Sequence, residues 1–415
     1  MAEKMNFLDF TDAVKKSLDL SIATTFTEMI SIGEAIGRII AKDVVCVKNL
    51  PSFNNSAMDG FAVKFEDAGK VLSINKTIFA GDKGEKVKES LLKNECYKIM
   101  TGAKVPSDVD TIVPIENCFD VTDKTVRIPS DIKKGANLRL KGEEQKEGNV
   151  LFRKGEEINS SHITLLASQG LVMIEVFRKI SIAVLSTGNE IKEPWERADE
   201  EEIYNCNSFA LISQLKEKGF DATYCGVIPD NLEDSKNYIK NLKNYDVIIT
   251  SGGISMGDAD FVGEAFLQNG LQTAFHGVNI KPGRPIMMGK MDKTLVICLP
   301  GNPLTAMVNI YLFAIPILNK IQGNENIYHE TAFAMNHEQF KTKAGRVNIV
   351  LGKLENGGFK VTRNNKYGSG MITALYESNS ILVTKESTSS IDVGQEVYVI
   401  KFNNKSTAQE TNIFN

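Results

Sequence analysis

"DVIITSGGISMGDADFVGEAF", residues 246–266, decides the fold. A β-branched run from Val247 to Thr250 stops at Gly252 and Gly253, and a helical pattern resumes at about Ala259. Strand, glycine-rich loop and helix in that order form the repeating unit of a parallel α/β sheet. Upstream, "KISIAVLSTGNE" (179–190) reads as a buried strand entering a loop, and "ATYCGVIPD" (222–230) as a second strand. Between them "NSFALISQLKEKGF" (207–220) is a helix with Leu211 and Leu215 on one face and Gly219 at its C-terminal end. "LEDSKNYIKNLKNY" (232–245) and the long apolar "LTAMVNIYLFAIPILNKIQG" (304–323) are further helices. The alternation predicts a doubly wound sheet that binds ligands beyond the carboxyl ends of its strands.

The flanks read differently. Residues 46–147 hold short alternating segments such as "VLSINKTIFAGD" (71–82), "ECYKIMTGAKVP" (95–106) and "DTIVPIENCF" (110–119), cut by Gly, Pro, Asp and Asn. This predicts an all-β insert. "VNIVLGKLE", "FKVTRN", "SILVTKE" and "EVYVIKF" predict a second β module after residue 327. The first fifty residues read as helical. Phe7, Phe10, Val14 and Leu18 have helical spacing, and Ser31 and Glu34 have the spacing of a capping box ahead of Ile36, Ile39 and Ile40.

Composition sets bounds. A chain of 415 residues exceeds one ordinary core. It carries 48 Lys and Arg against 52 Asp and Glu, with no basic stripe, which speaks against nucleic acid. No long uninterrupted apolar run points to a membrane span, and the start has no secretory pattern. Six scattered cysteines without a CxxC pair, and four histidines, argue against zinc and disulfides and for a cytoplasmic setting.

Three loops fall at the expected ligand edge: "STGNE" (186–190), "TSGGISMGDAD" (250–260) and "LPGNP" (299–303). Alone, each reads as a turn, and Asp258 or Asp260 as the cap of the next helix. Together they predict a small-molecule site. Glycines bring backbone N–H groups to a phosphate, yet Asp258 and Asp260 would repel it. At ~4 Å and an effective dielectric of 20 that repulsion is about 4 kcal/mol. Neutral hydrogen bonds return roughly 0.5–1.5 kcal/mol each. A divalent cation between carboxylate and phosphate reverses the sign, so the loop predicts phosphate and Mg²⁺ together. "NIKPGRPIMMG" (279–289) adds Lys281 and Arg284 as oxyanion ligands, the plainer reading being a solvated hairpin. In the insert, "LPSFNNSAMDGFAV" (50–63) and "GANLRLKGEE" (135–144) concentrate polar residues in what otherwise read as structural turns.

With these motifs in order, the chain resembles the molybdopterin molybdenumtransferases, the family that includes the E domain of gephyrin. "PSFNNSAMDGFAV", "IMTGAKVP", "NLRLKGEE", "STGNE", "TSGGISMGDADF", "KPGRP", "LPGNP" and "GSGMITALYESN" carry the likeness over almost the whole chain. The resemblance implies an α/β domain (1–20 and 178–326), a small helical linker domain (21–45 and 148–177), an inserted β domain (46–147) and a C-terminal β-barrel-like domain (327–415). It implies insertion of molybdate into adenylylated molybdopterin with Mg²⁺-dependent release of AMP. It further implies a homodimer whose active site is shared between subunits, with an adenylyltransferase and recipient molybdoenzymes as partners.

Carried over by motif, Asp59, Thr101, Glu190, Asp230 and Asp260 would be catalytic, and Asp258, Asp260 and Glu190 would hold the metal. Substrate would be bound by Ser56, Arg139, Glu144, Gly252, Gly253, Ser255, Lys281, Arg284, Pro300, Gly301, Asn302, Pro303 and Ser369. The chain departs from the family pattern at Asn54 (usually Asp), at Glu144 in Gly142-Glu143-Glu144 (usually Asp), and at Arg284 (usually Lys). Two other readings compete: a molybdopterin adenylyltransferase, which needs neither flanking β module, and a silent scaffold, against which the intact acids and cations speak.

Overall fold

A computed structural model describes residues 7–82, 90–229, 231–254 and 261–402. The chain divides into two compact units. One comprises residues 1–41, 155–159 and 173–415, the other 42–154 and 160–172.

The first unit is organised by a six-stranded sheet. Its order is Ala222–Ile228, Ile182–Thr187, Val247–Ser251, Thr294–Leu299, Met287–Met291, Leu271–His276. The first four run parallel, and only Met287–Met291 runs against the rest, antiparallel to both of its neighbours. Alternation along each strand builds a core on either face. Ile182, Val184, Val247 and Ile249 pack with Leu211 and Leu215 on one side. Ala183, Leu185 and Ile248 pack with Ile239, Val262 and Phe266 on the other. Each buried aliphatic side chain contributes roughly 1.5–3 kcal/mol, so both faces need helical cover. The 19 residues Pro303–Ile321 are long and apolar enough to cross a membrane. Here they form a core helix with a π turn at Ile310–Ala314, and most of its side chains are buried.

The C-terminal strands Thr331–Asn336, Val347–Glu355, Gly358–Val361, Ser380–Val383 and Glu396–Lys401 close into a five-stranded barrel. A two-residue parallel ladder, Ile280↔Val347 and Lys281↔Asn348, joins the barrel to the turn holding Lys281.

One expectation is corrected. Residues 31–45 form no α-helix: Thr27–Ser31 is a strand paired with Met173–Phe177, followed by one 3-10 turn, Ile32–Glu34. Ser31 accepts from Gly33 N, so the capping side chain closes a single turn. Ile39 and Ile40 are buried in bridges to Glu157 and Val176. Burial of the two isoleucines outweighs a capping box worth about 1 kcal/mol. The helix Phe10–Leu20 forms as expected, capped by Asp9.

The second unit carries the expected β insert, a sheet ordered Thr111–Pro114, Gly60–Val63, Glu95–Ile99, Val71–Ile78, Thr125–Arg127. Leu72, Cys96, Val113 and Val126 fill one face, and Ile78, Tyr97, Ile99 and Ile112 the other.

Candidate functional site

Three adjacent parallel strands end side by side, since Ser251 lies opposite both Ser186 and Leu299. Their loops therefore meet. Gly252 N donates to Leu299 O at 3.0 Å, and Asn207 Nδ2 donates to Ser251 Oγ at 2.6 Å and to Gly301 O at 2.7 Å. One amide at the start of the helix Asn207–Glu217 thus ties two of the loops. Gly252 adopts φ +91°, and a Cβ there would stand 2.7 Å from Thr187 Oγ1. The conformation and the closeness both require glycine.

Around these loops lies a cavity of about 520 Å³. Glu190, Gly252, Gly253, Pro300, Gly301, Asn302 and Pro303 all line it. A second cavity of about 440 Å³ adjoins it, sharing Pro285, Pro300 and Asn302, and holds Lys281, Arg284 and Ser369. The structure adds Arg346 to this second lobe.

Electrostatically the second lobe is distinct. Among the described residues no carboxylate pairs with Lys281, Arg284 or Arg346. Arg346 Nε is buried and has no hydrogen-bond partner among the described residues. Burial, and then Arg346 nearby, lower the pKa of Arg284, whose guanidinium lies 4.2 Å from the Phe7 ring centroid. Clustered cations without counter-charges form a site for an anion. The turn is held from behind: Asn309 Nδ2 donates to Gly283 O at 2.8 Å, and a Cβ on Gly283 would meet that amide at 2.7 Å. Ser369 Oγ accepts from Asn302 Nδ2 at 2.9 Å, so Asn302 bridges the two lobes.

The second unit holds the remaining residues. Asp59 Oδ1 accepts from Thr101 N at 2.6 Å and from Thr101 Oγ1 at 2.7 Å. These bonds, the hydroxyl's first, hold the Asp59 carboxyl below its ordinary range. Arg139 lies opposite Asn55 in a two-residue ladder. Ser56 is buried and its hydroxyl donates to Met58 O at 2.6 Å, so it faces inward. Glu144 is exposed, its N–H donating to Leu50 O at 3.0 Å. Asn54 Oδ1 accepts from Lys141 N at 2.8 Å, a bond that a carboxylate in its place would also accept.

Asp230, Ser255, Asp258 and Asp260 lie outside the described residues. Sequence reasoning missed Arg346 and Asn207. Arg346 reads as an ordinary loop cation until the Ile280↔Val347 ladder brings the strand that follows it to Lys281. Asn207 carries the one advance signal, a position at the start of a predicted helix beside the loops.

Comparison with known proteins covers nearly the whole chain. Residues 8–170 match the MoeA N-terminal region (domains I and II), residues 183–320 a family described as "Probable molybdopterin binding domain", and residues 334–402 the MoeA C-terminal region (domain IV). A molybdopterin molybdenumtransferase of Haemophilus influenzae is 32% identical over 403 residues, 95% of this chain and 99% of that protein. One from Staphylococcus epidermidis is 30% identical, over 98% of this chain and 99% of its own. The crystal structure of the molybdopterin biosynthesis moeA protein of Pyrococcus horikoshii OT3 superposes with a TM-score of 0.83, at 26% identity, over 95% of this chain and 100% of that one.

Proposed function

The chain belongs to the molybdopterin molybdenumtransferase (MoeA) family, transferases of molybdenum cofactor biosynthesis, and we propose that it inserts molybdate into adenylylated molybdopterin with release of AMP. The observation that carries this reading is the two-lobed cleft: a glycine-lined lobe for a phosphate, continuous with a cationic lobe for a second oxyanion.

In this reading Lys281, Arg284, Arg346 and Ser369 hold molybdate, a tetrahedral dianion for which two guanidinium forks and a hydroxyl supply donors. Gly253 brings its backbone N–H to the phosphate, Gly252, its own N–H held by Leu299 O, lets the chain approach closely, and Asn302 lies where the two anions face each other. Pro300, Gly301 and Pro303 shape that wall. The loops are fixed before substrate arrives by the bonds from Asn207, so little reorganisation is left for the reaction.

Mg²⁺ would be held by Glu190 with Asp258 and Asp260. Glu190 is exposed in the glycine-lined lobe and offers the hard oxygen donor this ion takes, so the described part of the donor set fits. Once bound, the ion would neutralise charge on the phosphate. Asp230 stays in the reading as an acid of the same site.

The reading includes a homodimer in which Asp59, Thr101, Arg139 and Glu144 of one copy act at the cleft of the other. Its support is that the Asp59–Thr101 pair is exposed and already held as a carboxylate. The substrate's adenylate calls for an upstream adenylyltransferase, and its product for recipient molybdoenzymes. Six free cysteines are consistent with the cytoplasm.

The test is AMP release from purified protein given adenylylated molybdopterin, with and without molybdate, and with Mg²⁺ or EDTA. Release that needs both molybdate and Mg²⁺ supports the reading. Tight binding without release would transfer the chain to a scaffold role.

A further inference from the structure

The loop that brings Ser369 to the cationic lobe begins with an unusual backbone. Arg363 (φ 50°, ψ 35°), Asn364 (φ 51°, ψ 37°) and Asn365 (φ 58°) are three consecutive left-handed residues, and none is glycine. Side chains other than glycine disfavour this region, Asn less than most, and left-handed residues ordinarily occur singly. Such strain persists only where surrounding contacts over-determine it.

Those contacts are present. Arg363 grips Glu377 through two parallel bonds, Nε to Oε2 at 2.8 Å and Nη2 to Oε1. Asn365 Nδ2 donates to Lys341 O at 2.9 Å, and Tyr367 OH accepts from Leu351 N at 2.7 Å. Asn365, Tyr367, Gly368 and Ser369 then form one wall of the cationic lobe. Asn364 is exposed and its side chain makes no hydrogen bond among the described residues, so its contribution is its backbone conformation alone.

We infer that the left-handed turn Arg363–Asn365, locked by the Arg363–Glu377 fork, is a positioning element that sets the oxyanion lobe for molybdate. Arg363 and Glu377 are positioning residues in this assignment, acting through Ser369 and Tyr367. The inference rests on the reading of that lobe as the molybdate site.

The test measures AMP release by the full chain as a function of molybdate and, separately, of adenylylated molybdopterin. Arg363→Ala removes the fork. Asn364→Val removes no contact but excludes the left-handed region, whereas Asn364→Gly permits it. The first two variants should raise KM for molybdate about tenfold, the scale of a small misplacement of binding groups. Their kcat at saturating molybdate should stay within about twofold, because only ground-state binding of one substrate is altered. KM for adenylylated molybdopterin should not move. Asn364→Gly should behave as wild type, and the charge swap Arg363→Glu with Glu377→Arg should recover molybdate affinity.

An unchanged KM for molybdate in both Arg363→Ala and Asn364→Val overturns the inference. So does a loss of kcat with both KM values unchanged, which marks the loop as merely structural. Arg346→Ala separates the two levels. If it leaves KM for molybdate unchanged, the molybdate reading of the lobe fails. If it raises that KM while the Arg363 and Asn364 variants do not, only the positioning role fails. Thermal melting of each variant identifies any that does not fold, and the Val and Gly substitutions at the exposed Asn364 keep a folded comparison available.

Discussion

At the scale of single residues, the Asp59–Thr101 pair makes a claim about pH. Thr101 donates twice to one carboxylate oxygen, which favours the ionised form of Asp59. A carboxyl depressed by folding contributes stability that is complete above its ordinary value, 3.8, and is lost as pH falls through the lower folded value. Thr101→Val should therefore raise the Asp59 pKa toward the ordinary value, read by carboxyl NMR titration. A value that does not rise would mean the hydroxyl bond is absent in solution. Asn207 makes a different claim. Asn207→Ala leaves Gly301 O and Ser251 Oγ without their donor, a loss of about 1–3 kcal/mol. We expect AMP release to slow at least tenfold if that energy holds the loops for the transition state. Wild-type turnover in this variant would show that the loops do not depend on the tie. Arg346→Ala, by contrast, should weaken molybdate alone, and equilibrium dialysis of molybdate would read it directly.

At the scale of elements, the strand Val247–Ser251 and its glycine turn were legible because a buried central strand has one reading: continuous β-branched residues closed by glycine. The three ligand loops followed from it, and all three line the cleft. Helical spacing over the few residues of segment 31–45 also suits isoleucines buried in isolated bridges to distant residues, and only the tertiary partners decide. Arg346 stayed hidden for a related reason: the ladder that places the strand after it joins residues far apart in sequence. The glycine turn supplies this scale's prediction. Gly252→Ala puts a Cβ 2.7 Å from Thr187 Oγ1 at φ +91°. It should destabilise the protein by about 1–3 kcal/mol and abolish AMP release. Adding Thr187→Ala removes the closest contact but leaves the main-chain oxygen of residue 187 at 3.1 Å and the backbone strain, so thermal melting should recover only in part. Full recovery would mean that the Thr187 hydroxyl alone required the glycine.

At the scale of the whole molecule, the homodimer proposed above makes a claim about mixed subunits. If the insert of one copy serves the cleft of another, two inactive variants should complement each other. Asp59→Ala and Lys281→Ala proteins, each silent alone, should regain about a quarter of wild-type activity when co-refolded, since random pairing leaves half the dimers mixed and each mixed dimer one intact site of two. No recovery from a mixture shown to exchange subunits would place both residue sets in one copy.

The N-terminal segment also has a consequence in time. Leu8 bridges Val278 in parallel, bonded to both Gly277 and Asn279, and the helix that follows packs on the same sheet. During synthesis Leu8 is made about 270 residues before its partner. At roughly 5–20 residues per second a ribosome needs on the order of ten seconds to a minute to close that gap. The helix Phe10–Leu20 must wait through it with its apolar face uncovered, while the insert, whose strands pair among themselves, can fold as it emerges. Newborn chains are thus open to capture at Leu8–Leu20, so a chaperone bound there would govern yield without ever touching the candidate cleft.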